Sequence, residues 1–385
     1  MTEPTEPIYA DHAATTPLDP EVFAAMRPWL TDQYANPAAL YRSGLAARRA
    51  VEQARRTVAA CLGCAPHQIF FTSGGSEGNT WAILNGAGRP GPGSREVVTT
   101  GIEHHSVSGA CAFLQKQGVT VCTVPVDAAG QVVPAALQAA LARRPRLVSV
   151  QYANNEVGVI QDIPALAAQC AAAGVPLHVD AVQAAGHLEL SLANIDYLTA
   201  SAHKFGGPKG IGFLYARQPA ALQPLIFGGS QQGGLRPGTE PVAQIVGLAR
   251  ALELTCARRA ESAAAKRALA ADFCRTLRAG WPQARFHSGA AGLPGLVSVG
   301  LPGFDGQALT YRLDLAGVCV SPGAACDNTG RSHPSHVLLA LGGTAAEDAL
   351  CTLRFSFGVA NRPGHGAEAA RRLLQALQNP TIQPH

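Results

Sequence analysis

Six strand-length apolar runs recur between residues 68 and 215: Gln68–Thr72, Glu96–Thr100, Val119–Val124, Leu147–Gln151, Leu177–Asp180 and Gly212–Tyr215. Helical segments separate most of them, at Glu77–Leu84, Val107–Gln117, Ala135–Ala142 and Ala165–Ala173. Short apolar strands alternating with helices predict a mostly parallel sheet covered on both faces. Upstream, Glu21–Leu30 and Ser43–Cys61 carry helical spacing, the second with Arg48, Arg49, Arg55 and Arg56 on a wet face. A long helix is expected from about Val242 to Arg278. The pattern then restarts with the strand Val297–Gly300, a helix near Leu309–Leu315 and the strand Val318–Ser321. It continues through the helix Ser335–Leu341, the strand Thr352–Phe357 and the helix Glu368–Leu377. That restart marks a second, smaller α/β domain, joined by the N-terminal segment.

A chain of 385 residues is too long for one ordinary core. The expected division is a large domain over 15–256 and a small one formed by 1–14 and 257–385. Apolar residues make up 47% and charged residues 15%, the balance of a globular protein with a substantial interior. The net charge of +4 is small and the basic residues are scattered, so no nucleic-acid surface is indicated. Met1-Thr-Glu-Pro-Thr-Glu-Pro7 lacks a basic-then-apolar signal, and no apolar run reaches membrane-spanning length. A cytoplasmic location follows as the expectation, with the ten cysteines as reduced thiols.

Ser201-Ala-His-Lys204, just ahead of Gly206-Gly207-Pro208, reads as a lysine held for Schiff-base chemistry. Few neighbours can solvate an ammonium there, which favours the neutral amine that condenses with an aldehyde. Asp180 closes the apolar run Val175–Val179, so its carboxylate is expected at the carboxyl end of a buried strand. Pyridoxal phosphate needs such a pair, a lysine for its aldehyde and an acid for its pyridinium nitrogen. Gly75 and Ser76, between a strand and a helix, are candidates for its phosphate, although an ordinary turn with Ser76 as N-cap has the same sequence. Glu103-His104-His105 again lies between strand and helix. A histidine there can stack on the ring and move a proton, or simply start the helix. Asn155 could hydrogen-bond the ring hydroxyl or a substrate carboxylate, and Gln183 could reach the same hydroxyl.

Ten landmarks occur in order: Asp11-His-Ala-Ala-Thr-Thr-Pro17, Phe71-Thr-Ser-Gly-Gly75, Glu103-His-His105, Asn154-Asn-Glu-Val-Gly158, Asp180-Ala-Val-Gln183, Ser201-Ala-His-Lys204, Leu235-Arg-Pro-Gly-Thr-Glu240, Gly323-Ala-Ala-Cys326, Pro334-Ser-His-Val-Leu338 and Arg354-Phe-Ser-Phe-Gly358. Through them the chain resembles the cysteine desulfurases of the class-V aminotransferase group over nearly its whole length. The resemblance implies the type I pyridoxal-phosphate-dependent transferase fold, with a mostly parallel seven-stranded sheet. It implies that His104 stacks on the cofactor ring, Asp180 pairs with the ring nitrogen, and Asn155 and Gln183 contact its hydroxyl side. Ser76, Ser201 and His203 would hold the phosphate, Lys204 would bond the aldehyde, and Thr239 would approach from the neighbouring subunit of a homodimer.

Cys326 is the expected sulfur acceptor, because its small-residue flank runs into a loop that gives a thiol access and mobility. Cys111, Cys122, Cys170, Cys256, Cys274, Cys319 and Cys351 lie in apolar runs and read as small hydrophobes. Cys61-Leu-Gly-Cys64 has no second pair and His333-Pro-Ser-His336 is too thin, so no metal site is expected. Lys204 would remove the Cα proton of L-cysteine. The Cys326 thiolate would attack the substrate sulfur, leaving a persulfide for an acceptor protein and alanine as co-product. Arg354 would clamp the substrate carboxylate.

The chain also departs from the desulfurase pattern. Asn36-Pro-Ala-Ala-Leu-Tyr41 ends in Tyr where a His is usual, Gln231-Gln-Gly-Gly234 replaces Gln-Glu-Arg-Gly, and Val359 replaces an Arg. Tyr41 and the segment after Cys326 are similar to selenocysteine lyases, the alternative reading. A non-catalytic scaffold would have lost Lys204 or Cys326, and an aminotransferase would not require Cys326.

Overall fold

The computed structural model describes residues 6–88, 94–323, 325–326, 332–342 and 346–378. The segment following Cys326 (327–331) and the chain ends of the expected small domain (1–5 and 379–385) lie outside the described residues.

The central sheet has seven strands in the order Ile69–Thr72, Gly212–Ala216, Tyr197–Ser201, Leu177–Asp180, Leu147–Gln151, Glu96–Thr100 and Thr120–Val124. Five of these strands run parallel through four adjacent pairings, while Gly212–Ala216 is antiparallel to both neighbours. The expected mostly parallel seven-stranded α/β fold is therefore borne out. Six strands were legible as apolar runs. The seventh, Tyr197–Ser201, is fully buried but carries Thr199 and Ser201, whose hydroxyls hide it from a reading of hydrophobicity. Helices pack on both faces, as continuous burial along the strands requires.

Two expectations are corrected. Arg55 does not lie on a wet face: it is 8% exposed, its guanidinium donates to the Ile69 carbonyl and it stacks 4.9 Å from the Phe71 ring centroid. The expected helix from Val242 to Arg278 is two helices, Val242–Ala257 and Arg259–Gly280, broken at Arg258 with φ −97° and ψ 8°. No glycine or proline marks that break. The Arg258 side chain is instead drawn onto Asp19 and Glu21.

Past the break, Ser321–Pro322, Thr352–Ser356, Leu296–Gly300 and Arg285–Phe286 form a four-stranded antiparallel sheet. The expected strand Val318–Ser321 divides in two. Val318–Cys319 pairs in parallel with Ile8–Tyr9, and Ser321–Pro322 turns to pair with Thr352–Ser356. Phe273 sits with its ring centroid 4.3 Å from Phe355 and 6.0 Å from Phe357, joining helix Arg259–Gly280 to this sheet. Removing such a ring costs about 3–5 kcal/mol.

Candidate active site

The carboxyl ends of the parallel strands converge on one edge of the large sheet, where an open α/β sheet leaves its crevice. Strand pairing sets Gln151 beside Asp180 and Asp180 beside Thr199. A cavity of about 350 Å³ opens there, lined by Gly75, Ser76, His104, Asn155, Asp180, Gln183, Ser201, His203, Lys204 and Arg354 among others. The fold thus gathers ten of the predicted site residues, drawn from distant parts of the chain, around one space.

One end suits an anion. Strand Ile69–Thr72 turns at Gly74 into helix Gly75–Gly88, whose first N–H groups are free to meet negative charge. Gly78 allows this helix to lie against the sheet, since a Cβ there would come within 2.5 Å of Thr199 Cγ2. Glu77 accepts from the Ser73 N–H at 2.7 Å and pairs with Arg236 at 3.0 Å. That pair anchors the Leu235–Glu240 segment beside the helix start. Ser201 and His203 close the same end, with His203 Nδ1 3.1 Å from Thr15 Oγ1. Burial, with the charges of Lys204 and Lys209, pulls the His203 pKa down to about 4.

The opposite wall carries the acid. Asp180 is 6% exposed; its Oδ1 accepts from the Val182 N–H at 2.9 Å and its Oδ2 from the Asn79 amide at 2.6 Å. Burial raises its pKa, opposed by those two hydrogen bonds and by His104 and Lys204. Asn79 also donates to Ser106 Oγ at 2.8 Å, and Ser106 in turn lies 2.8 Å from His104 Nδ1. Because His104 Nδ1 also accepts from the Ser106 backbone N–H, its hydrogen belongs on Nε2. Desolvation and the charges of Lys204 and His105 lower the His104 pKa despite Asp180, which fits a neutral ring.

Lys204 follows strand Tyr197–Ser201 in a single 3₁₀ turn, Ala202–Lys204. Its Nζ donates to the carbonyls of Ala13 at 2.7 Å and Ala14 at 2.8 Å. Burial first, then the charge of Arg354, lowers its pKa to about 8, against the pull of Asp11 and Asp180. A lysine so shifted is a nucleophile near neutral pH. Arg354 is 8% exposed rather than a surface strand-end residue. Its Nη2 donates to Asp11 Oδ1 at 2.6 Å and to Ser321 Oγ at 2.8 Å, and its Nη1 to the Asn155 carbonyl at 3.0 Å. Its Nε is buried with no partner among the described residues. The cradle therefore offers an amine, a buried carboxylate, an anion-binding helix start and a guanidinium, a set that fits pyridoxal phosphate and an amino-acid substrate.

The paired amides separate in role. Asn154 is fully buried and spends its side chain on the Ile102 carbonyl and the N–H groups of Glu156 and Val157, whereas Asn155 lines the cavity. Gln183 donates to the Ala13 carbonyl at 2.9 Å. Thr239 is exposed and is not among the residues lining this cavity. The Cys326 backbone forms a short antiparallel pair with Ser332. The chain beyond it is tied to the rim of the site, Ser335 Oγ donating to Glu156 and His336 Nε2 lying 2.9 Å from the Glu103 carbonyl. Asn79, Asp11 and Ser106 were missed from sequence. Asn79 lies one turn beyond Ser76 in a helix that also carries Glu77, Thr80 and Asn85, so its sequence position does not single it out, whereas Asp11 opens the first of the ten landmarks.

The chain matches the family Aminotransferase class-V over residues 8–364, and it belongs to that family. Cysteine desulfurase of Cereibacter sphaeroides is 42% identical to it, covering 97% of this chain and 95% of the relative. Cysteine desulfurase IscS of Dictyoglomus turgidum is 35% identical, covering 98% and 96%. Among solved structures, a NifS-like protein superposes with a TM-score of 0.90 at 33% identity, covering 96% of this chain and 99% of that one. SspA in complex with cysteine superposes at 0.77 with 32% identity, covering 91% and 99%. The expected activity, pyridoxal-phosphate-dependent removal of sulfur from L-cysteine, is borne out by this similarity.

Proposed function

We propose that the chain moves sulfur from L-cysteine onto Cys326 as a persulfide and passes it to an acceptor protein, leaving L-alanine. The observation that carries the residue roles is the lining of one cavity by Lys204, Asp180 and Arg354 together. Bound there, pyridoxal phosphate supplies an electron sink for the carbanion at the substrate Cα. The helix start at Gly75 and Ser76, with Ser201 and His203, would hold its phosphate. Asp180 would pair with its ring nitrogen, His104 would lie on its ring, and Asn155 and Gln183 would meet its hydroxyl side.

The chain's own groups do the rest. Arg354 fixes the substrate carboxylate, its remaining N–H groups steadied by Asp11 and Ser321. Lys204, with a pKa near 8, takes the Cα proton. The Cys326 thiolate attacks the substrate sulfur, so that the carbon–sulfur bond breaks as the sulfur–sulfur bond forms. Two protons complete the product, the one taken by Lys204 and the one that left the Cys326 thiol: one makes the methyl group and the other restores the Cα–H bond of L-alanine.

No helix among the described residues is long and apolar enough to cross a membrane, in keeping with a cytoplasmic site of action. Exposure of Thr239 supports a homodimer in which it serves the partner's phosphate site. The helix break at Arg258 supports a division into 15–256 and a unit of 1–14 with 257–385. Tyr41, the residue most like a selenocysteine lyase, is 60% exposed and does not line the cavity, which weakens that alternative. Parallel assays of the purified holoenzyme test the reading: alanine and sulfide should form from L-cysteine. Turnover of L-selenocysteine with L-cysteine left untouched would overturn it.

A further inference from the structure

Strand Ile69–Thr72 is an outermost strand of the large sheet, paired with Gly212–Ala216 on one side and with no strand on the other among the described residues. An edge strand presents free N–H and C=O groups along its open side. Here the alternate residues Ile69 and Phe71 turn those groups outward, and side chains stand where a further strand would lie. The Gln232 carboxamide meets Phe71 twice. Its Oε1 accepts from the Phe71 N–H at 2.7 Å, and its Nε2 donates to the Phe71 carbonyl at 2.8 Å. A neighbouring backbone would make the same exchange of two bonds. Arg55 takes the adjoining place, its guanidinium donating to the Ile69 carbonyl and, at 3.4 Å, to Gln232 Oε1.

Gln232 holds this position with a strained backbone. Its φ of 48° and ψ of 43° lie in the left-handed region, where a Cβ crowds the neighbouring carbonyl oxygen. Such a conformation at a residue other than glycine persists only where its surroundings fix it, and it gathers at functional positions.

Beyond Phe71 the chain turns through Thr72, Ser73 and Gly74 into the helix start at Gly75 and Ser76. The far side of that turn is held from the same segment as the near side. Arg236, four residues after Gln232, donates to Glu77 through two hydrogen bonds of 3.0 and 3.1 Å, and Glu77 accepts from the Ser73 N–H at 2.7 Å. One short stretch of chain thus grips the turn on its strand side and on its helix side. Neither Gln232 nor Arg236 lines the cavity, so their effect on a ligand passes through the turn.

We propose that Gln232 is a positioning residue for the cofactor phosphate: by pinning Phe71 it fixes where the N–H groups of the Gly75–Ser76 helix start point. The inference rests on the assignment of that helix start to the phosphate. A turn already in its binding shape loses no affinity to ordering when the anion arrives. Asp180 and Lys204 stand on other elements, so the ring end of the site does not depend on Phe71.

Absorbance titration of the full-length apoprotein with pyridoxal phosphate and with pyridoxal, which lacks the phosphate, separates the two ends. The quantity read is the ratio of the two affinities. Gln232→Gly relaxes the backbone and removes both bonds to Phe71, and should lower the ratio about tenfold by weakening pyridoxal phosphate alone. Gln232→Glu keeps the size but cannot donate to the Phe71 carbonyl, and should shift the ratio in the same direction. Ser76→Asp, which sets a carboxylate where the phosphate is expected, should also lower it. A ratio unchanged in both Gln232 variants but lowered in Ser76→Asp overturns the inference. Equal loss of affinity for the two ligands in the Gln232 variants overturns it as well, since that marks a residue serving the fold in general. A ratio unchanged in Ser76→Asp would instead remove the phosphate assignment on which the inference rests.

Discussion

The Asn79 side-chain amide donates to Asp180 Oδ2 at 2.6 Å and, with its other hydrogen, to Ser106 Oγ at 2.8 Å. One residue thus orients both the acid meant for the ring nitrogen and, through Ser106, the histidine meant for the ring face. Such supporting hydrogen bonds fix the orientation and protonation of the groups they hold. Asn79→Ala should therefore lower pyridoxal phosphate affinity by about tenfold, read by absorbance titration of the apoprotein. Asn79→Asp, which sets a second carboxylate against Asp180, should lower it further. Unchanged affinity in both variants would show that the network does not support the cofactor.

Arg354 and Asp11 make a second test. Arg354→Lys replaces a planar fork with a point charge and should raise the KM for L-cysteine by at least about tenfold. Asp11→Ala should raise KM in the same direction, because the guanidinium loses its 2.6 Å partner. Neither change touches a group expected to hold the cofactor, so the bound-cofactor spectrum should stay as in the wild type. A fall in kcat with KM unchanged would assign the arginine another task.

Much of this arrangement was legible in the chain. Strand runs, the Asp180–Lys204 pair and the glycine turn at Gly74 and Gly75 rest on local residue chemistry, and the structure brings them together as expected. What stayed hidden depends on tertiary contact. Arg55 looks like any surface arginine of a helix until Ile69 and Phe71 are found beneath it. The break at Arg258 coincides with the pairing of its side chain to Asp19 and Glu21, more than two hundred residues away in sequence. Asn154 and Asn155 are chemically identical, and only the turn that consumes the Asn154 amide tells them apart.

Glu103 and His178 give stability a pH dependence of opposite sign at the two ends of the scale. Burial raises the Glu103 pKa to about 8, with Thr100 donating to it at 2.6 Å, so the folded chain holds the proton that the unfolded chain releases near 4.5. Its contribution is present below that unfolded value and is lost as pH rises through 8. His178, fully buried between Ser149 and Thr199, has its pKa lowered by burial from 6.5 to about 3. There the unfolded chain binds the extra proton, so stability falls as pH drops below 6.5. Glu103→Gln keeps the shape and removes the first effect. Its melting temperature should exceed that of the wild type at pH 9, and the gap should close at pH 5. A gap that is widest at pH 5 would refute the neutral assignment of Glu103.

The proposed reaction turns on Cys326. Its backbone pairs with Ser332, and a few residues further on Ser335 and His336 are tied to Glu156 and the Glu103 carbonyl, next to the cavity-lining Asn155 and His104. Other thiols lack that situation. Cys61 shares a hydrogen bond with Cys256 and has its pKa pushed up, and burial raises that of Cys319. Serine is a far poorer nucleophile toward sulfur at nearly the same volume, so Cys326→Ser should retain fold, cofactor and substrate binding. Sulfide and alanine release should nevertheless fall by about two orders of magnitude or more. Cys61→Ser and Cys319→Ser should turn over almost as the wild type does. Mass spectrometry of the wild type after L-cysteine should find one added sulfur on the peptide containing Cys326. Normal turnover by Cys326→Ser, or a persulfide on another cysteine, would remove Cys326 from the reaction.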